Sequence, residues 1–233
     1  MDPLTSTHDA IVVGTGPGGA ATARELARSG KRGLVLEQGS AAPLKGTLGQ
    51  MATMALPGRG AWLHRDASLL VSGTTLGGSS APNFAPAAPP PLATFAAAGI
   101  GLAPSLSALR AELPLAPLPD SLVGPMAARL MGAGRRAGLA WRELDKMIRP
   151  QACRSGCWRC VYGCPYGAKW SARDFVDEAC GHGAVLLDRS RVLRRLMEGG
   201  RAQGVEVLHD GAPRQVRAPP VGLGGGGLQG SGL

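Results

Sequence analysis

Ala10-Ile11-Val12-Val13-Gly14-Thr15-Gly16-Pro17-Gly18-Gly19, residues 10–19, is the stretch that decides the fold. An apolar run enters a glycine turn, a helical pattern follows, and a second apolar run, Gly33-Leu34-Val35-Leu36, closes on Glu37. Strand, glycine turn, helix, strand and terminal acid are, in order, the parts of a βαβ unit that binds an adenine dinucleotide. Gly14 permits the tight turn out of the strand, Gly16 lets a pyrophosphate approach the backbone, and Gly19 lets the helix pack close to the strand. Gly18 shares the same turn. The helix N-terminus there offers free N–H groups and a partial positive charge to phosphates. Glu37 is placed to accept hydrogen bonds from the adenosine ribose. Ala20, Ala23, Leu26 and Ala27 form a small-residue face on the helix, and Gly30 is expected at its C-terminal cap. The motif alone does not separate NAD from FAD.

A second glycine stretch, Gly77-Gly78-Ser79-Ser80-Ala81-Pro82-Asn83, offers backbone N–H groups, two hydroxyls and an amide. That suits an extended anionic ligand lying along a loop. A nicotinamide domain has no need of it at this place, whereas a flavin dinucleotide reaches further. A Ser/Gly linker has the same composition.

Between and beyond these stretches the chain changes character. Residues 40–75 are loops with short helical pieces, and residues 86–92 (PAAPPPL) are a Pro-rich connector. The best later helix runs from Ser121 to Ala137, with Leu122, Met126, Leu130 and Ala133 on one face. Ser171-Ala172-Arg173-Asp174 resembles a capping box that opens a short helix through Ala179. After it the periodicity falls to two. Candidate strands are Ala184–Asp188, Val192–Met197, Gly204–Leu208 and Gln215–Arg217, with hairpin signals at Gly199-Gly200 and Asp210-Gly211. In the tail, seven of the eleven residues from Gly222 to Gly232 are Gly, which disfavours ordered packing.

Across 233 residues, 44% hydrophobic content supports a core, and only 4% aromatic content leaves small aliphatics to fill it. The net charge is +9, from Arg rather than Lys, and the basic residues are spread rather than striped. That argues against a nucleic-acid partner. No run of 18 apolar residues predicts a transmembrane helix, and the N-terminus carries no secretory pattern. A cytoplasmic protein with reduced thiols is expected.

Taken together, these residues resemble the glucose-methanol-choline (GMC) oxidoreductases. The likeness is carried by GTGPGG at 14–19 with Glu37, GGSSAPN at 77–83, GCPYGAKWSA at 163–172, Arg191-Val192-Leu193-Arg194-Arg195 and GRAQGV at 200–205. It covers most of residues 9–217. The resemblance implies an α/β fold: a Rossmann-like FAD-binding domain of the glutathione-reductase type, with a β-meander and an inserted helical block. The expected division is 1–100 and 181–217 for the FAD-binding domain, 101–180 for a helical, Cys-rich insertion, and 218–233 for an irregular Gly-rich tail. It also implies that Gly14, Gly16, Gly18, Gly19 and Glu37 hold the ADP half of FAD. Gly77, Gly78, Ser79, Ser80 and Asn83 would line the pyrophosphate and flavin, and Val192 would meet the adenine through its backbone. The implied reaction is oxidation of a small-molecule alcohol by hydride transfer to the flavin, with an electron acceptor left unnamed.

The family's base is a His near the end of a much longer chain. None of His8, His64, His182 and His209 stands in that context, so no catalytic residue is assigned. Where the family has a buried apolar strand leading to a glycine turn, APPVGLGGGGLQGSGL keeps the rough outline but loses the β-branched residues apart from Val221. The expectation is a truncated or frameshifted reading frame. Cys153, Cys157, Cys160 and Cys164 follow C-x3-C-x2-C-x3-C-P, close to a ferredoxin run. Structural thiols, an iron–sulfur cluster passing electrons to the flavin, and a zinc site are the open readings. Arg154 and Arg159 would favour thiolates. Cys180 is expected as a helix-end core thiol. The rival functions are a non-catalytic FAD-binding remnant and a flavin/iron–sulfur electron-transfer protein.

Overall fold

The structure is a computed structural model, and it describes residues 2–55 and 60–226. The first unit is the expected one: β1 (Ala10–Val13), α1 (Pro17–Arg28) and β2 (Gly33–Leu36). A long excursion follows. It holds α2 (Leu48–Met54), a hairpin of β3 (Ala61–Leu63) and β4 (Leu69–Val71), β5 (Pro86–Ala87), α3 (Leu92–Ala97), α4 (Ala103–Glu112), β6 (Leu115–Ala116), α5 (Pro125–Arg136) and β7 (Asp145–Met147). The chain returns through α6 (Arg173–Gly181) and β8 (Val185–Leu187). β9 (Arg191–Glu198), β10 (Arg201–His209), β11 (Ala212–Arg217) and β12 (Val221–Leu223) complete it.

The central sheet has the order β12-β1-β2-β8, and all its pairings are parallel. The two central strands, β1 and β2, are buried on both faces, and alternation along β1 divides those faces between two layers. Ile11 and Val13 meet Val192, Val205, Val207 and Val216 of the meander β9-β10-β11. Val12, between them, meets Ala23 and Ala27 of α1 and Ala179 of α6. The result is three layers: meander, parallel sheet and helix pair. Ala is the right residue beneath α1, because it lets the helix axis lie close to the sheet. Both expected hairpins form, with positive φ at Gly199, Gly200, Asp210 and Gly211, the geometry that two-residue turns between antiparallel strands require.

Four expectations change. Residues Ala184–Asp188 do give a strand, yet β8 pairs with β2 in the parallel sheet, not with the meander. The tail is not irregular throughout. β12 pairs in register with β1, and Gly224 N–H continues the ladder to Val13 O at 2.7 Å. The tail beyond Gly226 lies outside the described residues. The inserted block carries a three-stranded sheet, β5-β7-β6, beside its helices. Finally, α5 starts at Pro125 rather than at Ser121, since Gly124 and Pro125 supply the turn and first helical position. Its anticipated face is open: Met126 is 69% and Leu130 53% exposed.

Candidate dinucleotide site

The site lies where the C-terminal ends of β1, β2 and β12 meet the N-terminus of α1. Pro17 takes the first helical position and has no N–H, so the first donors without an intrahelical partner belong to Gly18 and Gly19. Gly18 is exposed and meets nothing where a Cβ would stand. Gly19 is closed in: a Cβ there would overlap the carbonyl oxygen of Gly14. The tail closes the other side. A Cβ on Gly14 would come within 2.9 Å of Gly225 Cα, and one on Gly224 within 2.5 Å of Gly19 Cα. The glycine segments 14–19 and 224–225 therefore pack backbone to backbone.

The second glycine loop is brought to the first. A Cβ on Gly78 would sit 2.9 Å from Gly16 Cα. The link is polar as well. Gly77 N–H donates to Thr15 Oγ1 at 3.0 Å, and Thr15 Oγ1 donates to Glu37 Oε2 at 2.5 Å. Glu37 also accepts from Thr15 N at 3.0 Å and Gly39 N at 2.7 Å. A carboxylate has about four acceptor positions. Three are taken by hydrogen bonds from the chain. Burial pushes the Glu37 carboxyl above its usual range, against the pull of these hydrogen bonds.

The remaining expected residues divide. Ser79 is exposed, and its Oγ accepts from Gly73 N at 3.0 Å. Ser80 faces inward instead, donating to Gly77 O at 2.5 Å and accepting from Ala172 N at 2.9 Å, so its hydroxyl serves the loop itself. Asn83 Oδ1 accepts from Ala85 N at 2.9 Å. Val192 puts its side chain in the core at 8% exposure, on β9, the edge strand of the meander. The turn before it is tied to the acid, through Ser190 N–H to Glu37 O at 2.8 Å and Arg189 N–H to Gly39 O at 3.0 Å.

Lys169 lies within GCPYGAKWSA, and no local pattern gives it a role. Its buried ammonium donates to the carbonyls of Ser80, Asn83 and Cys160, each at 3.0 Å, and to Ala81 O. No carboxylate pairs with it among the described residues, and burial draws its pKa down to about 8. It staples the second glycine loop to the cysteine segment. Burial raises the Cys153 and Cys160 thiols, and Arg154 lies over the Tyr166 ring at 3.9 Å. Among the described residues no three His, Cys, Asp or Glu side chains gather to hold a metal ion. Cys180 ends α6 half-buried, and burial raises its thiol as well.

The hydrogen bonds and ion pairs of His8, His64 and His209 go to residues outside the glycine segments. His8 contacts Pro3 O at 2.7 Å, and His64 pairs with Asp66 at the exposed β3–β4 hairpin. His182 follows α6, and His209 Nδ1 lies 2.7 Å from Ser190 Oγ. Among the described residues no helix is long and apolar enough to cross a membrane.

Comparison with known proteins adds to this geometry. Residues 114–231 match the family model described as GMC oxidoreductase, and residues 12–43 that of an NAD(P)-binding Rossmann-like domain. An uncharacterised GMC-type oxidoreductase of Mycobacterium tuberculosis (strain H37Rv) is 32% identical over 253 aligned positions. These span 99% of this chain and 39% of that relative. The chain thus spans well under half the length of the curated relatives it matches. Among solved structures, pyridoxine 4-oxidase of Mesorbium loti superposes with a TM-score of 0.73 at 22% identity, covering 96% of this chain and 50% of that one. A formate oxidase of Aspergillus oryzae, studied for modification of its FAD, superposes at 0.69 with 18% identity, covering 97% and 46%.

Proposed function

From the premise that this chain belongs to the GMC oxidoreductase family, we propose that it forms the cofactor-holding part of an FAD-dependent oxidoreductase acting on CH–OH groups. One observation carries the reading. The Thr15 hydroxyl joins Glu37 to Gly77, so two glycine loops, 62 residues apart at that bond, form one backbone-lined cradle. A cradle of that extent suits a dinucleotide with a second half beyond its pyrophosphate. In it Gly14, Gly16, Gly18 and Gly19 present backbone to the phosphates, and Glu37 holds the ribose with its remaining acceptor position. Gly77, Gly78 and Ser79 continue toward the flavin, Asn83 fixes the loop's end, and the Val192 backbone meets the adenine. Ser80 and Lys169 hold the loop from behind.

The flavin supplies acceptance of a hydride from the alcohol carbon. The protein's part is to bind and orient it and to exclude water around it. No histidine of this chain is assigned as base. The pyridoxine 4-oxidase likeness makes a primary alcohol on an aromatic ring a sensible first substrate to try. The test is titration of FAD into the purified chain by calorimetry and visible absorbance. A yellow, one-to-one complex is expected. Absence of heat and of a protein-bound flavin spectrum would remove the reading.

A further inference from the structure

Cys153-Arg154-Ser155-Gly156-Cys157 and Cys160-Val161-Tyr162-Gly163-Cys164 are one pattern, C-x-x-G-C, written twice with Trp158-Arg159 between. Both copies turn back on themselves. Cys157 N–H donates to Arg154 O, and Gly163 N–H donates to Cys160 O, each at 3.2 Å. In each copy the glycine before the second cysteine is left-handed, with φ of 69° at Gly156 and 79° at Gly163. Run straight, such a segment would hold its two end Cα atoms about 13 Å apart. A turn brings its ends within about 7 Å, and a disulfide spans Cα atoms about 4.4–6.8 Å apart. Each copy is therefore bent in the way that draws its own two thiols together.

The electrostatics pair them in the same way. Among the thiols, Cys157 acts most on Cys153, and Cys164 acts most on Cys160. All four are free and part-exposed, and among the described residues they do not converge as a group that could hold a metal ion. The second copy is also tied to the cradle. Lys169 Nζ, which donates to Cys160 O at 3.0 Å, donates as well to the carbonyls of Ser80, Ala81 and Asn83.

We propose that the two C-x-x-G-C turns are dithiol modification sites, each closing within itself to a disulfide, Cys153–Cys157 and Cys160–Cys164, on reaction with a hydroperoxide. One thiol of a pair attacks the peroxide O–O bond, keeps one oxygen as a sulfenic acid and releases the other as an alcohol, or as water from hydrogen peroxide. The second thiol displaces the sulfenic oxygen as water, and the S–S bond forms. Each pair thus gives up two electrons and both thiol hydrogens, and the peroxide is reduced. Burial raises the Cys153 and Cys160 thiols, so the reaction calls for excess peroxide. It needs no bound cofactor and stands apart from the FAD reading.

The test treats the intact chain with excess hydrogen peroxide, blocks remaining thiols with iodoacetamide, and maps the bonds by mass spectrometry after trypsin. Cleavage after Lys146, Arg154, Arg159 and Lys169 puts Cys153 and Cys157 on separate peptides, and Cys160 and Cys164 on one. Peptides 147–154 and 155–159 are expected to be joined. Peptide 160–169 is expected to be two hydrogens lighter and unblocked, with Cys180 alone carrying the label, and a dithiol reductant should reverse both bonds. C164S is expected to lose the second bond and keep the first. Bonds between the copies, Cys157 to Cys160 or Cys153 to Cys164, overturn the proposal. So do disulfides between chains, sulfinic acids without a bond, or a pair that stays reduced. A chain that purifies with zinc or iron on the four thiols, and that peroxide leaves untouched, overturns it as well.

Discussion

Two helices of this chain begin alike and end differently. α1 and α5 each have 12 residues, each opens with Gly-Pro, and each carries an apolar stripe. α1 buries Gly19, Ala20, Ala23, Arg24 and Ala27, whereas α5 buries only Gly134. Neighbours make the difference. α1 lies on the parallel sheet and against α6, and its Arg24 reaches Glu112 of α4 at 2.7 Å and stacks over the Phe175 ring at 3.7 Å. α5 has Trp141 folded over Gly134 and little else. A stripe locates the face a helix would bury. Whether a partner covers it is a long-range matter that periodicity does not encode.

That contrast can be broken most forcefully at glycine. Gly19→Ala drives a methyl onto the Gly14 carbonyl, and neither backbone can yield. A loss of at least about 3 kcal/mol is expected. Gly132→Ala in α5 meets nothing nearer than the far end of the Arg136 side chain at 3.4 Å, so about 0.5–1 kcal/mol of gain is expected from helix propensity. Urea denaturation of both variants checks this, and similar losses would erase the distinction.

The next effect tests the clamp behind the cradle. Lys169→Met leaves the carbonyls of Ser80, Ala81, Asn83 and Cys160 without their donor, and should cost about 2 kcal/mol. FAD affinity should fall with it. Unchanged stability would show that the loop is held elsewhere.

Smaller still is a pH effect at Glu37. Burial raises its pKa in the folded chain, so the folded state holds that proton more tightly than the unfolded state does. The stability this contributes is complete below the ordinary carboxylate range and is lost as pH rises through the raised value. The melting temperature of the empty chain, measured against Glu37→Gln, should therefore fall from about pH 4 to about pH 7. A constant difference would contradict it. The smallest effect belongs to α5: Leu130→Gln should stay within about 0.5 kcal/mol by urea denaturation. A larger loss would reveal a hidden partner for that face.

The sequence carried the local features well. Apolar strands, glycine turns, the acid at Glu37 and both hairpins follow from chemistry within a few residues. It carried long-range use poorly. Thr15 lies inside a glycine motif with nothing local to single it out, yet its hydroxyl is the joint between the loops. No periodicity signals a link across that separation. Ser80 looked like a ligand donor, and only its approach to Ala172 turned it inward. The Gly-rich tail looked unstructured because glycine adds no side-chain packing. Its lack of side chains is what lets Gly224 lie against Gly19. Arg154 stands beside the thiols in sequence, and only the fold lays it over the Tyr166 ring.

The strand that follows the meander has one more consequence. β12 completes a wall of the cradle that β1 began, and some 210 positions of synthesis lie between Ile11 and Val221. A nascent chain on the ribosome cannot grip its ligand until the last of those glycines has left the exit tunnel. Loading should thus wait for the last strand of the sheet, with the nucleotide as the keystone set after the arch.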